Sequence, residues 1–227
     1  THSGLAAPTF TGAATFTGDI ALASATASKP LLSLENTNAD GTSAEIKFIK
    51  NGGDAGTGDD VGKISFYQDD ADGNALNFAN IIVYSSNVVD GSEESQMSFT
   101  TRASGAEAVP LVLKGGNVGI GTTNPDSTLH VHTATAGSIT APSTADDLVI
   151  EGSTTPGVSI LMPNNGVGRY GFGVVEDNDR AYMSYSHDVE KMFFGVGGAD
   201  RMTLTAGNLG IGTTAPVGLL HLKAASP

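Results

Sequence analysis

The sequence has 227 residues, of which 39% are hydrophobic and only 15% are charged. Its formal net charge of -13 repels the phosphates of nucleic acids and of anionic lipids. No apolar run approaches the roughly 20 residues that a membrane-spanning helix needs. Cysteine is absent, which excludes disulfides, zinc thiolate sites and thiol nucleophiles. We therefore expect no nucleic-acid partner, no membrane insertion, and stability from packing, hydrogen bonding or assembly.

The first 28 residues carry a short repeat. Residues 8–12 (Pro-Thr-Phe-Thr-Gly) return as residues 14–18 (Ala-Thr-Phe-Thr-Gly). Each copy is too short to bury a core of its own, which is typical of a stalk in which several chains share one interior. A flexible linker is the alternative. We assign residues 1–28 to a stalk-like β-repeat.

The rest of the chain contains two copies of one module. Residues 113–123 (LKGGNVGIGTT) return as residues 204–214 (LTAGNLGIGTT), and each copy continues through a proline to Leu-His-Val or Leu-His-Leu. Self-similarity of this kind is the signature of a repeat architecture. We place module one at residues 29–135 and module two at residues 136–227.

Upstream of the glycines, both modules share a series of short apolar runs. These runs alternate or cluster β-branched and aromatic residues over four to six positions, which predicts half-buried strands. Turn-forming Asn-Gly, Asp-Gly and Gly-Gly pairs separate them, and no stretch sustains a helical period. We predict an all-β fold of short antiparallel β-meander modules. The paired runs are 32–35 and 148–151, 61–66 and 167–172, 82–85 and 182–185, and 96–99 and 191–194.

Each copy of the repeat contains a pair of glycines two residues apart, namely Gly119 and Gly121 or Gly210 and Gly212. A Gly-x-Gly after a strand hints at a dinucleotide-binding turn. However, Asn124 replaces the third glycine of that fingerprint, and Pro125 stands where a helix would open. We expect the four glycines to be structural, allowing positive φ or close backbone approach where chains or layers meet.

Module one has the longer connections between its predicted strands. It spans residues 32–116 from the first strand to the Gly-Asn turn, whereas module two spans residues 148–207. Loops on a rigid frame are where binding surfaces vary most easily, and solvated decoration is the alternative. We predict that ligands contact two acidic loops of module one, through Asp69, Asp70, Asp72, Asn74, Asp90, Glu93 and Glu94.

Histidines two residues apart, His130 and His132, would face the same side of a strand. Around a threefold axis, three such pairs would bring six imidazole nitrogens together and could hold a metal ion. An uncoordinated pair is the alternative, since imidazole pairs are common without metal. Module two has His221-Leu222-Lys223 at the matching place, so the pair is not part of the repeated unit.

Catalysis is not indicated by any motif. A glycan hydrolase needs two carboxylates at a fixed distance, but most acidic residues here fall in turns, and there is no Trp for sugar stacking. No Gly-x-Ser-x-Gly nucleophile motif occurs. Asp70, Asp72 and Asn74 alternate as in a calcium loop, yet Gln68 occupies the first ligand position and no suitable Glu follows. We expect no enzyme activity and no cofactor, with a glycan-cleaving tailspike as the weaker reading.

Residues 116–131, from Gly-Asn-Val-Gly-Ile-Gly-Thr-Thr-Asn-Pro to Leu-His-Val, resemble segments common in phage tail-fibre proteins. Residues 200–204 (DRMTL), which lead into the second copy, and the N-terminal repeat resemble the same family; together these motifs cover about a third of the chain. The resemblance implies an elongated, intertwined homotrimer that works in host attachment on the virion. Its partners would be other fibre or tail proteins and a host surface glycan or protein.

In that family, such segments often precede a C-terminal intramolecular chaperone that is trimmed off after the trimer forms. No chaperone-like sequence follows Leu222, so such a domain was removed, lies outside this sequence, or never existed. The last option would favour the alternative function, a structural subunit of an extracellular cell-surface filament or adhesin. Some phage fibres hold iron with a His-x-His pattern, which implies the same role for His130 and His132.

Overall fold

The computed structural model describes residues 17–25, 30–39, 41–51 and 56–224. Within these ranges the chain forms thirteen β-strands in two sheets and no helix. The prediction of an all-β fold is confirmed. The N-terminal repeat at residues 8–12 lies outside the described residues.

The first sheet contains seven strands in chain order. β1 pairs antiparallel with β2, and β4 pairs antiparallel with β5. In contrast, β5, β6 and β7 pair in parallel. The strands are β1 (Asp60–Asp69), β2 (Ala75–Asn87), β3 (Glu94–Ala103), β4 (Ala106–Lys114), β5 (Asn117–Ile120), β6 (Leu129–His132) and β7 (Leu148–Glu151).

The second sheet contains six strands, again in chain order. Pairing is antiparallel from the first of them to the fifth and parallel between the last two. The sheet therefore repeats the change from antiparallel to parallel pairing seen in the first. Its strands are β8 (Val167–Val174), β9 (Asp177–Ser186), β10 (Lys191–Val196), β11 (Ala199–Leu204), β12 (Leu209–Ile211) and β13 (Leu220–Leu222).

Two compact units divide the chain, Thr1–Met97 and Ser98–Pro227. The first unit holds β1 and β2, and the second holds β4 to β7 together with the whole second sheet. The division falls inside β3. It differs from the division into modules, because similarity of sequence defines a module whereas spatial proximity defines a unit.

The parallel strands are the feature that the predicted antiparallel meander lacks. Residues 121–128 connect β5 to β6, a connection of eight residues. Parallel neighbours usually need a crossover of about a dozen residues or more, so the short connection alone favoured an antiparallel hairpin. The physical reason for the parallel return is a tight glycine corner, described below.

The strand expected to open module two belongs to the sheet before it. Leu148–Glu151 (β7) pairs with β6, the Leu-His-Val strand of module one. The matching residues of module one, 32–35, form no strand, and Leu32 and Leu34 are 65% and 49% exposed. β7 therefore completes the sheet of module one and does not open that of module two.

The length difference between the modules does not lie in loops alone, as the sequence comparison assumed. β1, β2 and β3 have 10, 13 and 10 residues, whereas β8, β9 and β10 have 8, 10 and 6. The extra residues of module one therefore partly lengthen its strands. Gln68 and Asp69 are polar and exposed, so they resemble loop residues in sequence although they belong to β1.

Little apolar surface is buried within the chain. Ile82 and Val112 are the buried hydrophobic residues of the described part. The other buried side chains are small or polar, namely Asn80, Ser98, Thr100, Ser127, His130, Ser184 and Thr203. The accessible surface of the chain is 17125 Å².

Tyr182 of β9 provides one of the well-defined contacts of the second sheet. It pairs with Gly171 on one side and with Gly195 on the other. A Cβ added to Gly195 would overlap the Tyr182 ring, whereas a Cβ added to Gly171 would meet no atom within 4 Å. The ring is held in place because its hydroxyl donates to Asp200 and the Arg169 guanidinium lies 3.9 Å from its centroid.

We expect Gly195→Ala to lower the free energy of unfolding by about 1–3 kcal/mol, because the new methyl must displace the Tyr182 ring. The matched variant Gly171→Ala should be neutral or should stabilise by up to about 1 kcal/mol, because it restricts the unfolded chain without a clash. Thermal denaturation followed by circular dichroism compares the two. Equal destabilisation by both substitutions would contradict this account of the contact.

Candidate functional site

The repeated Gly-x-Gly segment forms the same corner in both modules. A Cβ on Gly119 would lie 2.6 Å from the carbonyl oxygen of Thr122, and a Cβ on Gly210 would lie 2.5 Å from that of Thr213. The chain therefore folds back against the strand it has just left, at a distance that only glycine permits.

The second glycine of each pair turns the chain. Gly121 and Gly212 share a φ of +75°, and a Cβ on either would overlap a backbone carbonyl oxygen, that of His132 or Lys223. These contacts lie within one chain and direct it from β5 into β6 and from β12 into β13. The predicted structural role of the glycines is therefore explained by contacts within one chain. A contact of these glycines with another chain stays a prediction.

His130 lies buried beside this corner and connects β6 to β7. It is 4% exposed, and its Nε2 lies 3.1 Å from Oε2 of Glu151. Its Nδ1 lies 2.9 Å from Oδ1 of Asp126, although the two atoms are not aligned for a hydrogen bond. The amide of Ala136 donates to Glu151 over 2.6 Å. That bond, more than the nearby imidazoles, holds the pKa of Glu151 below its usual range.

His132 lies on the same side of β6 as His130, as the strand period predicted. Its Nε2 is 3.9 Å from the Glu151 carboxylate, and the two imidazole centroids are 5.7 Å apart. In the described part of the chain, no group of three or more His, Asp or Glu side chains is arranged to hold a metal ion. The metal site predicted for this pair would need side chains from several chains, and it stays a prediction.

The first acidic loop of module one is an organised turn between β1 and β2. Oδ1 of Asp70 accepts hydrogen bonds from the amides of Asp72 and Asn74, at 2.9 and 2.8 Å. The Asn74 side-chain amide also donates to the carboxylate, and Gly73 takes a φ of +81°. These bonds, led by the Asn74 amide, lower the pKa of Asp70. Its carboxylate therefore stabilises the turn, while Asp69 and Asp72 are exposed on either side.

The second acidic loop connects β2 to β3 and contains Asp90 and Glu93, and Glu94 is the first residue of β3. All three residues are exposed. The two loops leave opposite ends of β2. Because β2 has 13 residues, its ends are about 40 Å apart. The structure thus does not bring the two predicted binding loops together, and a single small ligand cannot contact both on one chain.

Sequence analysis missed an apolar groove that recurs in each unit. In the first unit a cavity of ≈ 300 Å³ is lined by Phe48, Val61, Gly62, Ile64, Ile81 and Val83, among others. In the second, a cavity of ≈ 250 Å³ is lined by Val158, Ile160, Met162, Gly168, Tyr170 and Met183, among others. In both, an extended segment crosses a glycine of the following strand. The signal in the sequence was the apolar alternation at residues 46–48 and 158–160.

No family model matches this chain, and no curated protein is significantly similar to it in sequence. In the residues that the structure covers, no helix is long and apolar enough to cross a membrane. What the chain does is therefore inferred from its own residues.

We expect Gly121→Ala to destabilise the protein more than Gly116→Ala. Gly116 also has a positive φ, +86°, but a Cβ there would meet no atom within 4 Å. Gly116→Ala should lower the free energy of unfolding by about 1–2 kcal/mol from the backbone conformation alone. Gly121→Ala adds the overlap of the new Cβ with the His132 carbonyl oxygen. Gly212→Ala should behave like Gly121→Ala. Urea unfolding midpoints measure the order, and an equal cost at Gly116 and Gly121 would show that the corner is not tight.

The Asp70 turn should respond to pH. Because the folded pKa is lowered, its stabilising contribution is present above the ordinary Asp value of about 3.9 and is lost as pH falls through the folded value. Asp70→Asn should keep the acceptor oxygen and remove this dependence. The amide proton shifts of Asp72 and Asn74, followed by NMR, report the titration. A midpoint at or above about 3.9 would contradict the assignment.

Proposed function

We propose that this chain is a structural and adhesive segment of a phage tail fibre that assembles as a homotrimer and acts in host attachment. One observation supports this most strongly: the sheets expose apolar side chains that a single chain leaves in water. We infer that other chains supply the burial that these side chains lack.

The exposed apolar residues form rows instead of scattered points. Along β8, Tyr170 and Phe172 are 45% and 65% exposed, and they point to one face because they are two residues apart and the pairing between them is regular. Along β1, Ile64 and Phe66 repeat the pattern. Three copies related by a closed symmetry axis would cover such rows with one another, since an oligomer of identical chains buries the same patch on each.

The groove of each unit would contribute to the contacts that this unit makes with other chains. Phe48 is 52% exposed at the rim of the first, and Ile160 is 41% exposed at the rim of the second. Apolar burial stabilises by about 25 cal/mol per Å², so a shared interior would offset the thin core of each chain. The proposal gives the chain no catalytic step and places it on the virion.

Immunogold electron microscopy tests the proposed location. Antibodies raised against the purified chain should decorate the tail fibres of phage particles recovered from the source sample. Decoration of cell surfaces in place of particles would contradict the proposal and would support a cell-surface filament or adhesin.

We expect the loop between β2 and β3 to contribute more to binding of the host surface than the Asp70 turn does. The Asp70 carboxylate already accepts hydrogen bonds from the amides of its own turn. Neutralising Asp90, Glu93 and Glu94 to their amides should reduce adsorption of the assembled protein to the host surface several-fold. The matched control neutralises Asp188 and Glu190 in the shorter loop between β9 and β10, where no change is expected. Equal adsorption by both variants would move recognition away from this loop.

A further inference from the structure

The groove of the second sheet is bounded on one side by a strap, residues 158–162, that crosses β8. The strap belongs to no strand, so no strand ladder holds it against the sheet. Val158, Ile160 and Met162 line the cavity of ≈ 250 Å³ beneath it, whereas Leu161 is 92% exposed. This alternation shows that one edge of the strap faces the sheet and the other faces water.

Met162 fits against the sheet at Gly168 of β8. A Cβ added to Gly168 would overlap Cε of Met162 and would lie 3.5 Å from its sulfur, with Cγ2 of Ile160 at 3.1 Å. Gly168 is buried under these atoms. The end of the Met162 side chain therefore occupies the room that the missing side chain of Gly168 leaves. An unbranched thioether suits such a gap because it has three rotatable bonds.

Two further methionines line the same cavity from the sheet. Met183 belongs to β9 and Met192 to β10, and Met192 pairs with Tyr185, the residue that pairs with Gly168 on its other side. Three of the five methionines of the chain thus share one cavity. All three are half-buried.

A thioether beside such a cavity can react with a peroxide. The cavity of ≈ 250 Å³ is many times the volume of one water molecule, and hydrogen peroxide is little larger than water. The sulfur lone pair attacks a peroxide oxygen, an S–O bond forms, the O–O bond breaks and water leaves. The sulfur is oxidised by two electrons to a sulfoxide and the peroxide is reduced. Because cysteine is absent, no thiol of the chain competes for the peroxide.

A sulfoxide at Met162 would be poorly accommodated in the docked strap. The side chains that line the cavity with it include four that carry no hydrogen-bond donor, namely Val158, Ile160, Met183 and Met192. A polar oxygen buried among them without a partner is unfavourable. The oxygen regains hydrogen bonds by turning out into water, and because Met162 is part of the strap, the strap then leaves the sheet.

We propose that Met162 is a redox-sensitive contact: its oxidation by a peroxide releases residues 158–162 from β8 and uncovers the apolar side chains beneath, among them Met183 and Tyr185. Reduction of the sulfoxide restores the docked strap. Because the sulfur becomes a stereocentre, complete reduction needs one methionine sulfoxide reductase for each epimer.

The first unit contains a matching strap without a thioether. There Phe48 crosses β1 at Gly62, and a Cβ on Gly62 would lie 2.8 Å from Cβ of Phe48. Met97 lines that cavity too, but it belongs to β3 and not to the strap. Residues 46–49 are therefore an internal control that peroxide should leave docked. The inference concerns contacts within one unit, so it does not depend on the proposed trimer.

Limited proteolysis with thermolysin tests the proposal, because this protease cleaves before large apolar residues and both straps contain them. The whole protein is treated with hydrogen peroxide, and mass spectrometry of the fragments identifies the oxidised methionines and the cleaved bonds. Cleavage within residues 158–162 should become about tenfold faster or more, since one unpaired buried polar group shifts an equilibrium by about that factor. Cleavage within residues 46–49 should not change. Treatment with both reductases should return the cleavage rate to its starting value.

Two variants separate Met162 from the other methionines. Met162→Leu nearly conserves volume and removes the sulfur, so its strap should dock and should not respond to peroxide. The matched variant carries Met183→Leu and Met192→Leu and keeps Met162, so it should respond like the natural protein. An equal response of Met162→Leu and the natural protein would overturn the proposal.

The natural protein alone gives an independent measurement, which holds even where a substitution impairs folding. The gain in strap cleavage should rise in proportion to the fraction of Met162 that is oxidised. Oxidation of Met162 without faster cleavage would overturn the proposal, as would a Met162 that stays reduced while Met202 on β11, outside the groove, is converted.

Discussion

Shortage of buried apolar area is the constraint on which the rest of this structure depends. With Ile82 and Val112 as its buried hydrophobic residues, the described chain has no interior that could offset the conformational entropy of ordering long strands. The backbone ladders satisfy their own hydrogen bonds, but each such bond adds only about 1 kcal/mol net. In the proposed assembly, surfaces shared between chains would supply the missing burial.

The sequence repeat is a consequence of that constraint. Each module is a thin meander that ends with the glycine corner and a parallel strand. In module one, β7 then pairs with the edge of that strand. Gly121 and Gly212 make this possible, because a side chain at either would overlap the returning backbone. His130 and Glu151 then connect β6 to β7 through their side chains. Repetition of such edges suits a molecule that extends by adding modules.

Much of the fold could be predicted from the sequence, and the failures have identifiable causes. Strands such as β2 and β10 follow from β-branched and aromatic runs bounded by turn residues. The apolar alternation of a strand does not reveal which strand it pairs with. Leu148–Glu151 was therefore assigned to the start of module two, although it completes the sheet of module one. The burial of His130 depends on Glu151, 21 residues away, and no local pattern reveals such a contact. The Asp70 carboxylate resembled a ligand because a turn organiser and a metal ligand use the same oxygen atoms.

The most direct test of the account is the mass of the folded protein, measured by light scattering at micromolar concentration. The account predicts three times the 23.0 kDa chain mass, with cooperative unfolding and with no folded species of lower mass. A stable, folded monomer under these conditions would contradict it, because such a monomer would show that the exposed apolar rows of β1 and β8 need no partner chain.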